Sequence, residues 1–460
     1  MSLMVSISGI RGVVGKTLTP EVLVKYASAF AEFCDRGKIV IGRDGRVTGK
    51  MMDELVTSTL LAMGCDVVSL GVAPTPTIQI AVEQLHASGG ISVTASHNPM
   101  EWNGLKFISD NGMFLTANEN ERFWSIAESQ PPAYADWHHI GRHTEDDSFL
   151  RQHDDMVLNL PLIDVEKIRS RRFKVVLDCI NSAGGYIVPQ LLRSLGCTVI
   201  EMNCEVSGIF AHMPEPIPEN LGELCARVVA EKADMGIAVD PDVDRLVLIT
   251  ERGEPYGEEY TITTVVKHML EKSKRASSAG NVQPVATVVV NLSTTRAVED
   301  IVTAFGGRLI QTPVGEINVA QKMQEVGALV GGEGSGGVIV PQLHYGRDAI
   351  IGIGIVLEQF AEFSGSVSQF KATLPLYSIL KTKIDLAGKD PDELLARVRR
   401  KFEHNGNVNS EDGLRINMGR TWVHLRKSNT EPIMRIIAEA PTTEEAETLV
   451  QKFRDELLTA

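Results

Sequence analysis

Apolar and polar positions along the chain fall into a short unit that recurs three times. The first copy runs KIVIGRDGR, then an amphipathic stretch from about Met51, then Gly64-Cys65 and the apolar run DVVSLGV. The second runs FKVVLDCINSAGG, an amphipathic stretch ending near Leu195, then Gly196-Cys197 and TVIEMN. The third runs ATVVVNLSTTR, an amphipathic stretch to about Phe305, then Gly306-Gly307 and RLIQTPV. Each copy reads as a β-branched strand, a polar turn, a helix with a Gly stop, and a second strand. That is a βαβ unit, which requires parallel strands with helices covering the sheet. The glycine after each helix supplies a left-handed cap.

The last part of the chain has a different rhythm. After PLYSILKTKIDLAGKD comes a helical stretch, DPDELLARVRRKF, then strand-like runs in GLRINM, TWVHLRKS and MRIIAEA, and a closing helix, TEEAETLVQKFRDELL. Helix, three strands and helix predict a smaller α+β domain with an antiparallel sheet. The expected fold class is therefore α/β: three tandem similar domains with mixed, mostly parallel sheets, plus a smaller C-terminal α+β domain, around a central cleft. The expected domains are 1–150, 151–255, 256–370 and 371–460. With 460 residues the chain has the length for four such cores.

Composition narrows the function classes. No apolar run reaches the roughly 20 residues a membrane span needs, and the first residues lack a charged segment followed by an apolar one, so no secretory signal is expected. The six cysteines, at 34, 65, 179, 197, 204 and 225, include no C-x-x-C pair, and several lie in apolar runs. A reduced, cytoplasmic setting is expected. A net charge of −14 argues against a nucleic-acid partner. An acidic chain that binds phosphate must gather its basic residues locally or use a metal.

Four clusters carry candidate chemistry. In GGISVTASHNPMEWNGLKFI an apolar run delivers Ser96 into a polar turn. Two readings are open there: a displayed nucleophile, which needs an activating partner, or a turn serine before Pro99. His97 is adjacent, but neighbours in an extended chain point apart, so no Ser-His dyad is implied. In MGIAVDPDVDRLVLIT, Asp240, Asp242 and Asp244 alternate between two strand-like runs. Converging carboxylates repel, and a hard divalent cation with oxygen ligands is the natural remedy; a solvated acidic hairpin is the other reading. In ALVGGEGSGGVIVPQLHYGRDAI, Glu333 and Ser335 sit among five glycines and suit a polyhydroxylated ligand. In VHLRKSNTEPIMRI, Arg426, Ser428, Asn429 and Thr430, with Arg435 beyond them, suit a phosphate, or else form an Asn-centred turn.

Taken in order, TASHNP, DPDVDR, GEGSGG and RKSNTEP resemble the phosphoserine, metal, sugar and phosphate loops of the α-D-phosphohexomutase family. SGIRG, Ser8 to Gly12, is similar to that family's N-terminal active-site segment. The resemblance covers essentially the whole chain. It implies that Ser96 carries a phosphoryl group, passes it to a hexose 1- or 6-phosphate, and takes the other phosphate back from a hexose 1,6-bisphosphate that has turned around. It implies Mg²⁺ on Asp240, Asp242, Asp244 and the Ser96 phosphate, with Arg11 and Arg245 neutralising charge. The N-G-L-K match places a general acid–base at Lys106, whose pKa burial beside cations is expected to lower, and His97 lines the site. Glu333 and Ser335 are expected on sugar hydroxyls, and Arg426, Ser428, Asn429 and Thr430 on the phosphate that stays.

The chain departs from several bacterial relatives at Gly337 and Glu316, where those relatives have histidine. The extra carboxylate at Glu316 leans the substrate toward glucosamine phosphate, with mannose or glucose phosphate as the alternative. A metal-dependent phosphatase using Asp240 and Asp242, and a non-catalytic sugar-phosphate-binding protein, are the more distant readings. A monomer or homodimer is expected, with movement of the last domain to admit ligand.

Overall fold

The three recurring units fold as parallel strand pairs. Ile39–Arg43 and Val67–Val72 flank helix Gly49–Ala62, Lys174–Asp178 and Thr198–Met202 flank Gly184–Ser194, and Thr287–Asn291 and Arg308–Thr312 flank Arg296–Ala304. These assignments come from a computed structural model that describes residues 3–129, 131–278, 285–386, 388–403, 407–427 and 433–458. The leading strands are apolar on both faces because helices cover both: Ile39, Val40 and Ile41, Val175, Val176 and Leu177, and Val288, Val289 and Val290 are all buried.

The internal repeat extends further than a βαβ unit. In each domain the leading strand takes a third, parallel strand on its other edge, and that strand turns back into an antiparallel fourth. These hairpins are Gly89–Val93 with Trp102–Ile108, Met235–Val239 with Leu246–Thr250, and Val330–Glu333 with Gly337–Ile339. The serine loop, the aspartate loop and the glycine-rich loop are the turns of these three hairpins. One topological position, repeated three times, carries three different chemistries. The first sheet is widened by Met4–Ser6 and Gly9–Val13 on one edge and by His143–Glu145 on the other.

The last domain is an antiparallel sheet of five strands rather than three. Ser378–Asp385 and Asn407–Asn409 form its edges, and helices Pro391–Phe402 and Thr443–Leu458 belong to the same domain. The two extra strands are edge strands with a single fully buried residue, Ile384, between them, so neither shows the apolar alternation that marks a strand in sequence. This domain has its own core, built on Leu394, Val398, Ile416, Val423, Ile436 and Phe453. The second and third domains instead share one core, and a further apolar cluster joins Ile78 and Val82 of the first domain to Val289 and Met323 of the third. The first three domains therefore form one packed body.

The fourth domain docks on the third through a polar seam. Glu439 accepts from Thr295 Oγ1 and, at 2.8 Å, from the Arg296 backbone N–H, capping the start of helix Arg296–Ala304. Trp422 Nε1 donates to Glu439 and Arg415 donates to the Leu292 carbonyl. His424 Nδ1 lies 2.9 Å from Ser293 Oγ. Among the described residues no helix is long and apolar enough to cross a membrane.

Candidate active site

The serine loop is held in shape by a buried arginine. Arg46, 1% exposed, uses all five of its N–H groups: Nε to Asp44 Oδ2 at 3.0 Å, Nη1 to the carbonyls of Pro99 and Trp102, and Nη2 to those of Ser96 and Asn98 at 2.6 and 2.7 Å. Asp44 also accepts from Thr94 Oγ1 at 2.7 Å, and Thr94 Oγ1 accepts from the Ser96 backbone N–H at 2.8 Å. This scaffold holds Ser96 in the left-handed region, at φ 49°, a conformation that costs a non-glycine residue on the order of 1 kcal/mol. Arg46 ends the run IGRDGR, whose only sequence signal is a charged turn after a strand. Arg46→Met is expected to leave the Asp44 carboxylate buried without its cation, at a cost of about 3–5 kcal/mol, read as a lowered melting temperature. It is also expected to misplace Ser96, with turnover falling by about 10²-fold.

The left-handed turn changes the expectation for Ser96 and His97. In an extended chain the two would diverge; here the turn brings Ser96 Oγ to 3.2 Å from His97 Nδ1. Burial, then Arg245 and Arg11, holds the His97 imidazolium pKa well below its usual value. Ser96 Oγ also donates to Asp240 Oδ2 at 2.9 Å, which joins the serine loop to the aspartate loop.

Asp240, Asp242 and Asp244 converge in a buried cluster, with an oxygen from each lying within 4.8 Å of the others. Val243 between them is itself left-handed, at φ 61°, and β-branched residues rarely adopt that conformation. The loop is placed by bonds across the domains. Thr75 donates its Oγ1 to Asp242 Oδ2 at 2.7 Å, and Ser182 bridges the Gly45 backbone N–H and the Pro241 carbonyl at 2.9 and 2.7 Å. Burial, then Asp244 and Asp242, pushes the Asp240 carboxyl well above its usual pKa. Asp244 moves the other way: burial opposes its charge, but Arg347, Lys106 and Arg245 together hold its pKa far down. Asp242 Oδ1 and Asp244 Oδ1 are buried with no hydrogen-bond donor. Three convergent carboxylates with two orphaned acceptors fit a hard divalent cation.

Lys106 is fully buried on strand Trp102–Ile108, with Nζ 2.6 Å from Asp242 Oδ2 and 3.0 Å from Asp244 Oδ2. The expectation of a lowered pKa is reversed. Burial does oppose the charge, but the two carboxylates outweigh it and raise the lysine. The nearest groups are anions rather than the cations that the sequence placed there. Arg11 Nη1 donates to Asn98 Oδ1 at 3.2 Å, and Arg245 Nη1 lies 3.6 Å from Glu215 Oε1. Arg11 Nε and Arg245 Nε are buried donors without an acceptor, the counterpart of the two orphaned carboxylate oxygens.

The glycine-rich hairpin faces this cluster. Gly336 accepts from the Leu246 backbone N–H at 3.0 Å. Glu333 is buried and accepts from Asn291 Nδ2 at 2.7 Å, the Gly315 backbone N–H at 3.1 Å and Arg347 Nη1 at 2.7 Å. Ser335 is half-buried in the turn. Glu316 is fastened at both oxygens by Arg347, from the backbone N–H at 3.1 Å and from Nε at 2.9 Å. It is therefore a partner of Arg347 rather than a carboxylate left open for a substrate amine. Arg347 itself, in the Gly-Arg-Asp that follows the hairpin, was not singled out by sequence; its only sign was a charge pair after an apolar stretch.

In the fourth domain, Arg426 Nε is 3.0 Å from Asp412 Oδ2, and that same oxygen accepts from the Val314 backbone N–H at 2.9 Å. Val314 precedes Gly315, which binds Glu333. Polar contacts thus link Ser96 to Asp240, Asp244, Arg347 and Glu333, and the Val314–Gly315 backbone joins Glu333 to Asp412 and its ion pair with Arg426. Arg426, Arg435 and Lys383 face one another across three adjacent strands. Like charges in register repel, and an anion relieves them. Ser428, Asn429 and Thr430 lie outside the described residues.

The chain matches known proteins over nearly its whole length. The four domain families described as phosphoglucomutase/phosphomannomutase match in order: α/β/α domain I over residues 4–132, domain II over 152–253, domain III over 258–377 and the C-terminal domain over 383–456. A probable phosphoglucosamine mutase of Methanopyrus kandleri is 33% identical over 454 residues, covering 97% of this chain and 96% of its own. A phosphoglucomutase/phosphomannomutase of Thermococcus kodakarensis is 36% identical over 445 residues, covering 95% and 94%. A solved phosphoglucomutase/phosphomannomutase family protein from Burkholderia thailandensis superposes with a TM-score of 0.80 at 27% identity, covering 99% of this chain and 98% of its own. With four domain families matched in order and two relatives aligned over nearly their full length, the chain belongs to the phosphoglucomutase/phosphomannomutase family and is a phosphohexomutase, an isomerase that moves phosphate within a sugar.

Proposed function

We propose that this phosphohexomutase interconverts glucosamine 6-phosphate and glucosamine 1-phosphate, with Ser96 as the phosphoryl carrier. The observation that carries the reading is the setting of Ser96. Its Oγ is buried 2.9 Å from Asp240, in a site where the Nε groups of Arg11 and Arg245 lack acceptors and one oxygen each of Asp242 and Asp244, Oδ1, lacks a donor. A phosphoryl group on Ser96 meets the first need, and a cation meets the second. Asp240, Asp242 and Asp244 would hold a Mg²⁺ ion, which would neutralise charge on the phosphoryl oxygens.

The remaining work falls to the chain itself. A sugar hydroxyl attacks phosphorus, the Ser96 Oγ–P bond breaks, and a proton leaves the hydroxyl while another arrives at Oγ. Arg11 and Arg245 hold the transferring oxygens, since phosphoryl transfer depends on positioning and charge more than on covalent chemistry. His97 lines the site at hydrogen-bond distance from Oγ. Lys106, within hydrogen-bond distance of Asp242 and Asp244, is the residue to test for proton transfer. Glu333 and Ser335 take sugar hydroxyls, while Arg426, Ser428, Asn429, Thr430 and the neighbouring Arg435 hold the phosphate that stays. The second half returns the other phosphate of the 1,6-bisphosphate to Ser96.

The name of the Methanopyrus relative supports glucosamine as the sugar; that of the Thermococcus protein supports mannose or glucose phosphate as the second reading. A coupled assay comparing glucosamine, mannose and glucose phosphates side by side, primed with the matching 1,6-bisphosphate and Mg²⁺, is expected to give the highest kcat/KM for glucosamine. A higher value for mannose or glucose moves the assignment to the second reading. Net release of inorganic phosphate, with no phosphoserine at Ser96 by mass spectrometry, overturns the carrier mechanism.

A further inference from the structure

We propose that Arg347 is a positioning residue that couples the aspartate cluster to the sugar-binding hairpin, so that cation binding and sugar binding are energetically linked through one guanidinium. The proposal rests on the reading of the site given above. Arg347 is 9% exposed and serves three carboxylates from three separate segments. Nη2 donates to Asp244 Oδ2 at 2.6 Å, Nη1 to Glu333 Oε2 at 2.7 Å and Nε to Glu316 Oε2 at 2.9 Å. A guanidinium is a rigid planar fork, so a shift at one carboxylate is passed to the other two; a lysine ammonium has no such geometry.

The backbone supplies a second, independent sign. Gly337 pairs with Glu333 in the hairpin and has no left-handed φ that would call for glycine. A Cβ placed there would overlap Arg347 Cδ. The position is glycine because the Arg347 side chain passes over it on the way to Glu333 and Asp244.

The direction of coupling follows from charge. Asp244 Oδ2 already takes both Lys106 and Arg347. A divalent cation on Asp244 repels the guanidinium and weakens its hold there, driving it toward Glu333 and Glu316. Glu333 is then pinned by Arg347, Asn291 and the Gly315 N–H before the sugar arrives, and a pre-organised acceptor binds at lower entropic cost. By thermodynamic linkage the sugar must tighten the cation by the same factor.

The test uses the Ser96→Ala protein, which cannot turn over, and calorimetry with Mn²⁺, glucosamine 6-phosphate, mannose 6-phosphate and inorganic phosphate. Mn²⁺ is expected to tighten the bound hexose phosphate by about tenfold. Adding R347K or G337A is expected to cut that factor to about threefold or less, the remainder being direct attraction between cation and phosphate. The factor for inorganic phosphate, which has no sugar to meet Glu333, is expected to stay unchanged in both. Equal factors for the hexose phosphate with and without the substitutions overturn the proposal, as does a parallel loss for inorganic phosphate. G337A keeps the guanidinium and its charge, so it carries the test if R347K does not fold; loss of the fold in both makes Arg347 a scaffold residue and ends the proposal. If the Ser96→Ala protein binds neither Mn²⁺ nor either hexose phosphate, the reading of the site itself fails, an outcome distinct from binding without coupling.

Discussion

Ser96→Ala is expected to lose turnover by on the order of 10⁵-fold or more, the scale of deleting a covalent nucleophile, while hexose phosphate still binds. Without Oγ no phosphoryl group can be stored between the two half-reactions, and the Thr94 hydroxyl two residues away is already engaged. Thr94 Oγ1 already holds the Ser96 backbone N–H and Asp44. Binding survives because the groups assigned to it, Glu333 and the Arg426 row, make no contact through Ser96 Oγ. The fold also survives: the backbone bonds from Arg46 to the Ser96 and Asn98 carbonyls do not involve the side chain. The cost is the donor lost to Asp240 Oδ2, about 1–3 kcal/mol. A coupled assay reads the rate and calorimetry reads the binding. A variant that turns over at near-normal rate removes Ser96 from the mechanism.

Asp240→Asn separates the cost of the aspartate cluster from its use. Asp240 Oδ1 accepts from the backbone N–H groups of Asp244 and Arg245, both at 3.1 Å, and an asparagine oxygen can keep these bonds. Its Nδ2 then faces Ser96 Oγ as a donor, which a hydroxyl can accept. The substitution removes one of three crowded, buried acids, the one whose carboxyl is pushed up by burial and by Asp244 and Asp242. In metal-free solution the melting temperature is therefore expected to stay level or rise. Saturating Mg²⁺ is expected to raise the melting temperature of the native protein, since a ligand at a hundred times its Kd stabilises by about 2.7 kcal/mol, and to leave the variant almost unmoved. Turnover is expected to fall by about 10²–10³-fold, the scale of losing one preorganised electrostatic contact. Equal Mg²⁺ shifts for the two proteins would falsify the assignment of Asp240 as a ligand.

The three βαβ units were legible because a strand buried on both faces and an amphipathic helix leave periodic marks that survive without any tertiary knowledge. The loops were legible together rather than singly: a serine after a strand and a run of glycines are common in ordinary turns, and it is their order along the chain with the alternate aspartates that resembles one family. The edge strands Ser378–Asp385 and Asn407–Asn409 were missed because strands with so few fully buried positions carry little apolar alternation. Arg46 and Arg347 were missed for a related reason. Each is a charged residue just past an apolar stretch, which in one dimension looks the same as a solvated turn. What separates them is burial against hydrogen-bond partners up to 56 and 103 positions away.

By itself, then, the sequence determined the repeat, the class of each domain and the identity of the chemical groups, because these depend on local periodicity and residue type. Only the tertiary structure decided how those groups act on one another. It placed the serine, aspartate and glycine-rich loops at the same hairpin position of three domains, and it turned Ser96 toward His97 through a left-handed backbone. It gave Lys106 two aspartates instead of the expected cations, and it tied Glu316 to Arg347. The physical reason is the range of the forces. Strand and helix formation are set by neighbours along the chain, whereas the charge on a buried group is set by whatever the fold brings within a few ångströms of it.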